Sequence, residues 1–395
     1  MVSTLHQLQA RGVIFPLPET VFIAPDVNPD RIASGVVIHP GCRLRGAGLA
    51  IGPDCVIGAE APATVADCQL GAKVRLTGGF FDRATFLDGF TAGSGAHVRP
   101  GCLLEEKTTI AHSVGIKQTV FMPWVTAGSL INFCDALVAG GTDPKNHSEI
   151  GSSYIHFNFT PHQDKATASL IGDVPRGVLL NQSPIFLGGQ GGLVGPCTIA
   201  YGTVIPAGQI CRGDITVPGH LVAKPAFRAP IDMPYNVRCY SAIKRVIRNN
   251  LRYIGNIAAL DMWYRVVRAR FMLADPYSAA CYTGARLRLT EILGERMARL
   301  DELAHKVEHS LACAPDAAAA DEHRAFVDGW PALKTALTVW LDAREHVAVP
   351  EAVQAVVAAL PSTDYLRTIQ GLSAEAAQTL TDWLDQTVTT VLSQY

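Results

Sequence analysis

Charge is scarce in this chain. Of its 395 residues only 17% are charged, and 33 Lys and Arg against 35 Asp and Glu give a formal net charge of −2. Globular proteins carry about 25% charged residues, so a disordered, charge-driven polymer is excluded, and the basic surplus of a nucleic-acid binder is absent. Long apolar runs are missing too. None reaches the roughly 18 residues that a membrane span requires, although 48% of the residues are hydrophobic. The opening MVSTLHQLQARGV has no apolar core of the signal-peptide kind, which points to a cytoplasmic protein. The ten cysteines form no Cys-x-x-Cys pair. Reduced thiols packed as small hydrophobes are therefore expected, with Cys55 and Cys197 each four residues after an aliphatic.

What is present is unevenly spread. Thirty of the 35 glycines and 19 of the 24 prolines lie at or before residue 235, while four of the five tryptophans lie after it. A Gly/Pro-rich segment turns constantly, whereas the later part can sustain helices. The prolines at 218, 225, 230 and 234 mark a linker between them. The expected organisation is a lead-in over 1–29, a repeat domain over 30–220, a linker over 221–240 and a helical domain over 241–395.

The first part carries a rhythm of six: Leu193, Ile199, Ile205 and Cys211, with Ile51-Gly52 and Ile57-Gly58, Leu70 and Leu76, and Ile110 and Ile116 repeating it. A helix places apolar residues three or four apart and an amphipathic strand two apart. Six fits a β-solenoid, in which each short side points one aliphatic inward, three sides close a coil, and coils stack at about 4.8 Å. Beyond it, Ile243, Val246, Ile247, Leu251, Ile254 and Ile257 keep helical spacing. Further helices are expected near 285–310, 322–345, 350–360 and 373–393, with Ser373 as an N-cap. Lys244, Arg248 and Arg252 share one helix face and form either a solvated basic surface or a reach towards a substrate phosphate or an acidic neighbour.

Several segments, in order, read VRPGCLLEE at 98–106, SVGIK at 113–117, AGSLINFCD at 127–135, SEIGSSYIHFNF at 148–159, IFLGGQGGLVGP at 185–196 and IAYGTVIPAG at 199–208. Together they resemble the left-handed β-helix acetyltransferase domain of the bacterial bifunctional uridyltransferase/glucosamine-1-phosphate acetyltransferases. They are closer still to stand-alone proteins labelled UDP-N-acetylglucosamine pyrophosphorylase-like. The resemblance implies a left-handed parallel β-helix followed here by an extra α-helical domain, a homotrimer, and acyl transfer from acetyl-CoA to an amino-sugar phosphate or sugar nucleotide. No Gly-rich nucleotidyltransferase loop precedes the repeats, so pyrophosphorylase activity is not expected of this chain alone.

Carried over residue by residue, Arg99 and Lys117 fall on the family's phosphate-holding cations, a donor fork and a point charge. Asn158 falls on its asparagine, and Lys165, one residue out of step, near its second lysine. Gly189 and Ala207 fall where the family lines its acetyl-CoA channel. Solenoid corners also need glycine, so the run at 188–192 has a structural reading beside that one. Ser129 stands where the family has its histidine base, and Asn132 where it has a tyrosine. Serine has no useful pKa for a general base, so the chemistry is either lost, leaving a sugar-nucleotide binder or scaffold, or rebuilt.

Rebuilding has material to draw on, since His112, His147, His156 and His162 fall close together. His147 and His156 are the candidate bases, each with a structural or surface reading as its alternative. Period-two alternation puts His156 and Asn158 on one face of a strand. The histidine gaps of 35, nine and six do not fit the zinc set of the γ-class carbonic anhydrases, which use the same solenoid, so no metal is expected. Arg176, in the stretch VPRGVLLNQSP that breaks the rhythm, is placed at the pocket because loops leaving a solenoid often build its site.

Overall fold

The structure, a computed structural model, describes residues 4–223, 232, 239–240, 242–311 and 316–395. Most of the expected linker, with Pro225, Pro230 and Pro234, lies outside them. The first part is a parallel β-solenoid of about 11 turns. One wall, here the first, is a nine-stranded sheet from Val37–Ile38 to Val204–Ile205. The second and third walls share a single 16-stranded sheet. They merge because Gly115–Phe121 and Asn132–Val138 run unbroken across the corner between them, turning at Gln118 and Asp135 with φ of 50° and 57°.

The rhythm of six is the step from one wall to the next. Ala92, Val98, Leu104, Ile110 and Ile116 point inward in succession from first, second, third, first and second walls. In-register pairing stacks them into columns. The second-wall column runs Leu44, Val65, Phe81, Val98, Ile116 and Phe133, each essentially inaccessible. Burying such a side chain stabilises the fold by about 1.5–3 kcal/mol, and no coil can supply that burial without its neighbours. At the N-terminal end, fully buried Leu8 on the helix Thr4–Ala10 closes the interior, and Ile14 and Phe22–Ile23 already pair with the next coil. Eight described cysteines are free and buried. Cys239 departs from the expectation of reduced thiols throughout, being disulfide-bonded.

The C-terminal part is helical, with long helices Ile243–Trp263, Pro276–Ser310, Ala317–Ala343 and Ala374–Leu392. Ser373 caps the last, accepting from the Ala376 N–H at 3.2 Å. The Ile243–Trp263 and Pro276–Ser310 helices lie on the third wall. That wall is therefore buried on both faces, and its strands are apolar at consecutive positions. Leu104, Phe121 and Val138 face the interior while Leu103, Val120 and Leu137 face the helices, all with 1% exposure or less.

Gly284 marks a close approach of helix to wall. A Cβ there would sit 2.2 Å from Gln69 Oε1 and 2.6 Å from Thr85 Oγ1. Gln69 cannot swing away, because its amide donates to Gly48 O at 2.8 Å and its oxygen accepts from Thr85 at 2.9 Å. Gly284→Val is expected to cost about 1–3 kcal/mol in chemical denaturation, as overpacking does; an unchanged midpoint would mean the helix does not rest on this wall.

The same interface buries Glu105, whose carboxylate accepts from the Tyr264 hydroxyl at 2.6 Å. Burial pushes its pKa up to about 7, against the nearby Arg268 charge. Between the ordinary carboxylate range and that value the unfolded chain is ionised while the folded one stays protonated. Stability should therefore fall by a few kcal/mol as pH rises from about 4.5 to 7 and then level off. Glu105→Gln keeps an acceptor for Tyr264, and melting curves of this variant should lose that dependence.

Candidate functional site

The outer face of the second wall collects the candidate cations. Val98 pairs with Ile116 and Lys117 with Cys134, so Arg99, Lys117 and Cys134 stand one above another on successive coils. Side chains alternate along a strand, which turns these three outward while Val98, Ile116 and Phe133 fill the interior. Arg99 Nη2 donates to Cys134 Sγ at 3.3 Å, and the thiol in turn faces Asn132 Oδ1 at 3.7 Å. Burial keeps that thiol's pKa raised, with Arg99 opposing, so Cys134 remains a neutral link between the guanidinium and the amide. Arg99 and Asn132 are exposed and Lys117 half-buried.

At the edge where first and second walls meet, the corners form a second row. Leu130 N–H donates to His112 O, Ser153 N–H to Ser129 O, Gln190 N–H to Ser152 O and Gly208 N–H to Gly189 O. His112, Ser129, Ser152 and Gly189 thus occupy the same corner position on consecutive coils, with Ala207 next. Across this row His112 Nδ1 lies 3.0 Å from Ser129 Oγ, and the Ser129 N–H donates to Ser152 Oγ at 3.1 Å. Ser129 is therefore in contact with a histidine from the coil before it. His112, among the histidines noted in the sequence but not chosen from it, is the residue that reading missed. The signal was there, since 17 residues separate it from Ser129, close to the 17 or 18 that separate paired residues on neighbouring coils.

The glycines of this edge serve close approach more than left-handed turns. The positive φ at the 188–191 corner belongs to Gln190, at 52°. A Cβ on Gly188 would stand 2.3 Å from the backbone of Pro206 and Ala207, and one on Gly151 2.3 Å from Gly189 N.

The far end of the second wall carries Asn158, whose Nδ2 donates to Asp135 Oδ2 at 2.7 Å. The other oxygen of Asp135 accepts from Arg296 Nη2 at 2.7 Å. Arg296, on the Pro276–Ser310 helix, is 1% exposed, and its Nη1 also donates to the carbonyl of Lys165 at 3.2 Å. One arginine of the helical part thus anchors both Asn158 and the segment bearing Lys165.

Other candidates lie elsewhere. His156 faces the interior, 2% exposed, against the Phe133 ring and paired with Leu193. Its Nδ1 is engaged by Cys134 O and its Nε2 lies 2.9 Å from Ser169 Oγ, while burial lowers its pKa. It fills the aliphatic slot six residues after Ile150, and Asn158 does not share its face, because the strand ends at Phe157 and the chain turns. His147 sits on the segment between third and first walls, around the prism from Arg99, with Nδ1 2.9 Å from Pro144 O and Nε2 3.8 Å from Glu149. Arg176 leaves the solenoid at that corner as well and is held by Asp173 at 2.9 Å and Asp385 at 2.8 Å. The structure therefore brings together Arg99, Lys117 and Asn132, leaves Asn158 at the far end of the same wall on Asp135, sets Gly189 and Ala207 along the adjoining edge, and separates His147, His156 and Arg176 from them.

No family model matches the chain. The bifunctional protein GlmU of Nitratidesulfovibrio vulgaris strain DP4 is 25% identical over 225 residues, which is 52% of this chain and 40% of that protein. The bifunctional protein GlmU of Trichlorobacter lovleyi is 29% identical over 210 residues, 53% of this chain and 40% of that protein. The chain thus matches well under half the length of these relatives. With the stacked coils, this likeness fits a left-handed, hexapeptide-repeat β-helix of the kind found in GlmU-like proteins.

Proposed function

We propose that the chain is a hexapeptide-repeat transferase that moves an acetyl group from acetyl-CoA to the amine of an amino-sugar phosphate or sugar nucleotide. The observation that carries this reading is the gathering of Arg99 and Lys117 on one wall, on neighbouring coils, beside an edge bearing the His112–Ser129 contact. Arg99 offers a planar fork to the phosphate and Lys117 a point charge. Asn132, next to them, faces the Cys134 thiol with its amide oxygen and offers its amide nitrogen to orient the sugar. With Nδ1–H donating to Ser129 Oγ, neutral His112 presents a lone pair at Nε2. As the amine nitrogen bonds to the thioester carbonyl carbon, Nε2 takes its proton, the C–S bond breaks, and the imidazolium returns that proton to the departing sulfur, so the coenzyme leaves as the thiol. The small residues Ser152, Gly189 and Ala207 leave the edge open for a pantetheine arm along the coils.

The site lies on an open wall, and a second copy of the chain would close it. The second wall offers exposed Phe80, Ile155, Phe157 and Ile210, with Leu130 at its edge, an apolar set that a homotrimer would cover. Among the described residues no helix is long and apolar enough to cross a membrane.

The test is incubation with acetyl-CoA and glucosamine 1-phosphate or UDP-glucosamine, reading thiol release and the acetylated product by mass spectrometry. A kcat/KM that falls at least about tenfold in Arg99→Ala, from the lost charge-assisted hydrogen bonds, supports the reading. No product and no thiol across that panel overturns it. Ser129 in the base position favours one alternative, a sugar-nucleotide binder without turnover. A thermal shift with UDP-N-acetylglucosamine in the absence of any acetyl transfer would establish that instead.

A further inference from the structure

A second polar cavity, on the opposite side of the prism from the His112 edge, belongs to none of the chemistry above. It occupies about 360 Å³ where the corners between third and first walls meet the helical part. Its solenoid side is formed by Lys73, Asp88, Gly89, Glu106 and Lys107, and its helical side by Arg268, Ser278 and Ser362 with Phe271 and Leu366.

The charges in it are unequally satisfied. Asp88 Oδ1 accepts the Ala72 N–H at 2.8 Å, Glu106 Oε1 accepts Arg268 Nη2 at 2.6 Å while its Oε2 is buried without a partner, and Asp364 lies 3.3 Å from Arg367 Nε. The cations have fewer partners still. Lys73 and Lys107, exposed corner residues with φ of 60°, have no ion-pair or side-chain hydrogen-bond partner among the described residues. Arg268 is 1% exposed, yet its Nε and Nη1 have no partner. Donors left unpaired in a buried site cost free energy, and stacking on the Tyr365 ring, 3.9 Å from the guanidinium carbon, leaves the in-plane N–H groups unanswered.

The backbone is shaped to hold this arrangement. Arg268 ends a π-helical turn, Tyr264–Arg268, inserted where the Ile243–Trp263 helix would otherwise continue, and such turns recur at functional sites. Gly89 lies on the coil between Lys73 and Lys107, where a Cβ would come within 2.8 Å of Lys107 Nζ. The Lys107 side chain therefore lies over Gly89, on the coil next to the one that carries Lys73.

We propose that this cavity binds a small organic phosphate, the phosphate held by Lys73, Lys107 and Arg268 and the apolar part against Phe271 and Leu366. The hydroxyls of Ser278 and Ser362 supply further donors at the rim. This site stands apart from the acetyl-transfer reading and survives its failure, because no residue is shared.

Isothermal titration of the full chain with UMP and AMP tests it, with inorganic phosphate in parallel. Saturable binding is expected, weakened at least about tenfold in Lys73→Gln/Lys107→Gln by loss of two charge-assisted contacts, and unchanged in Arg99→Ala. Both lysines are exposed, so the double variant should keep its fold, as circular dichroism would verify. Equal affinity for inorganic phosphate supports the anion site and makes free phosphate its ligand. No binding of any probe, binding indifferent to the double variant, or binding lost in Arg99→Ala overturns the proposal.

Discussion

His112→Gln is expected to lower kcat for acetyl transfer by about 10²–10⁴-fold, the range that a positioned general base contributes, with the fold intact because His112 is exposed. Glutamine keeps an amide able to meet Ser129 Oγ but has no basic lone pair to take the amine's proton. KM for the sugar phosphate should change little, since the proposed phosphate contacts are those of Arg99 and Lys117. Arg99→Ala should do the reverse and act mainly through KM. Ser129→Ala separates two roles for the serine. A milder loss than in His112→Gln fits a hydroxyl that fixes the imidazole tautomer, whereas a loss as deep makes Ser129 itself a reacting group. Full activity in His112→Gln would remove the base from this edge altogether.

Arg296→Ala is expected to destabilise the fold by about 3–5 kcal/mol, the cost of removing one partner from a buried ion pair. Asp135 is 6% exposed at its side chain, and in the variant only Asn158 would answer its charge. The double variant Arg296→Ala/Asp135→Asn should recover part of the loss, and the non-additivity measures the pair directly. Urea denaturation followed by tryptophan fluorescence gives both quantities. A cost below about 1 kcal/mol would place the pair in the range of exposed salt bridges and contradict its burial.

The solenoid was legible because its cause is local. One aliphatic per side must point inward, and that requirement prints a period of six on the sequence. The same period could have placed His156, which falls six residues after Ile150 and so in an interior slot. Counting alternate residues instead put it on one face with Asn158, and that parity fails where a strand only three residues long gives way to a corner. The His112–Ser129 contact is a matter of coil length, readable from the repeat once corners as well as strands are aligned. Arg296 was out of reach: 161 residues separate it from Asp135, and no local pattern says which helix lies on which wall. The continuous apolar strands Cys102–Leu104 and Ala136–Val138 do show that the third wall is covered, though not by what. His147 and Arg176 shared a weakness, since a segment that breaks the rhythm does not say from which corner it departs.

Leu8, seated at the N-terminal end of the solenoid, has a consequence for solubility. A stack of parallel coils presents at its last rung a row of unpaired backbone groups above an oily interior, a template on which another chain can polymerise. The short helix bearing Leu8 acts as a stopper over that end. Deleting it would bare the template, and the shortened protein should form fibrils end to end even though every remaining coil is intact.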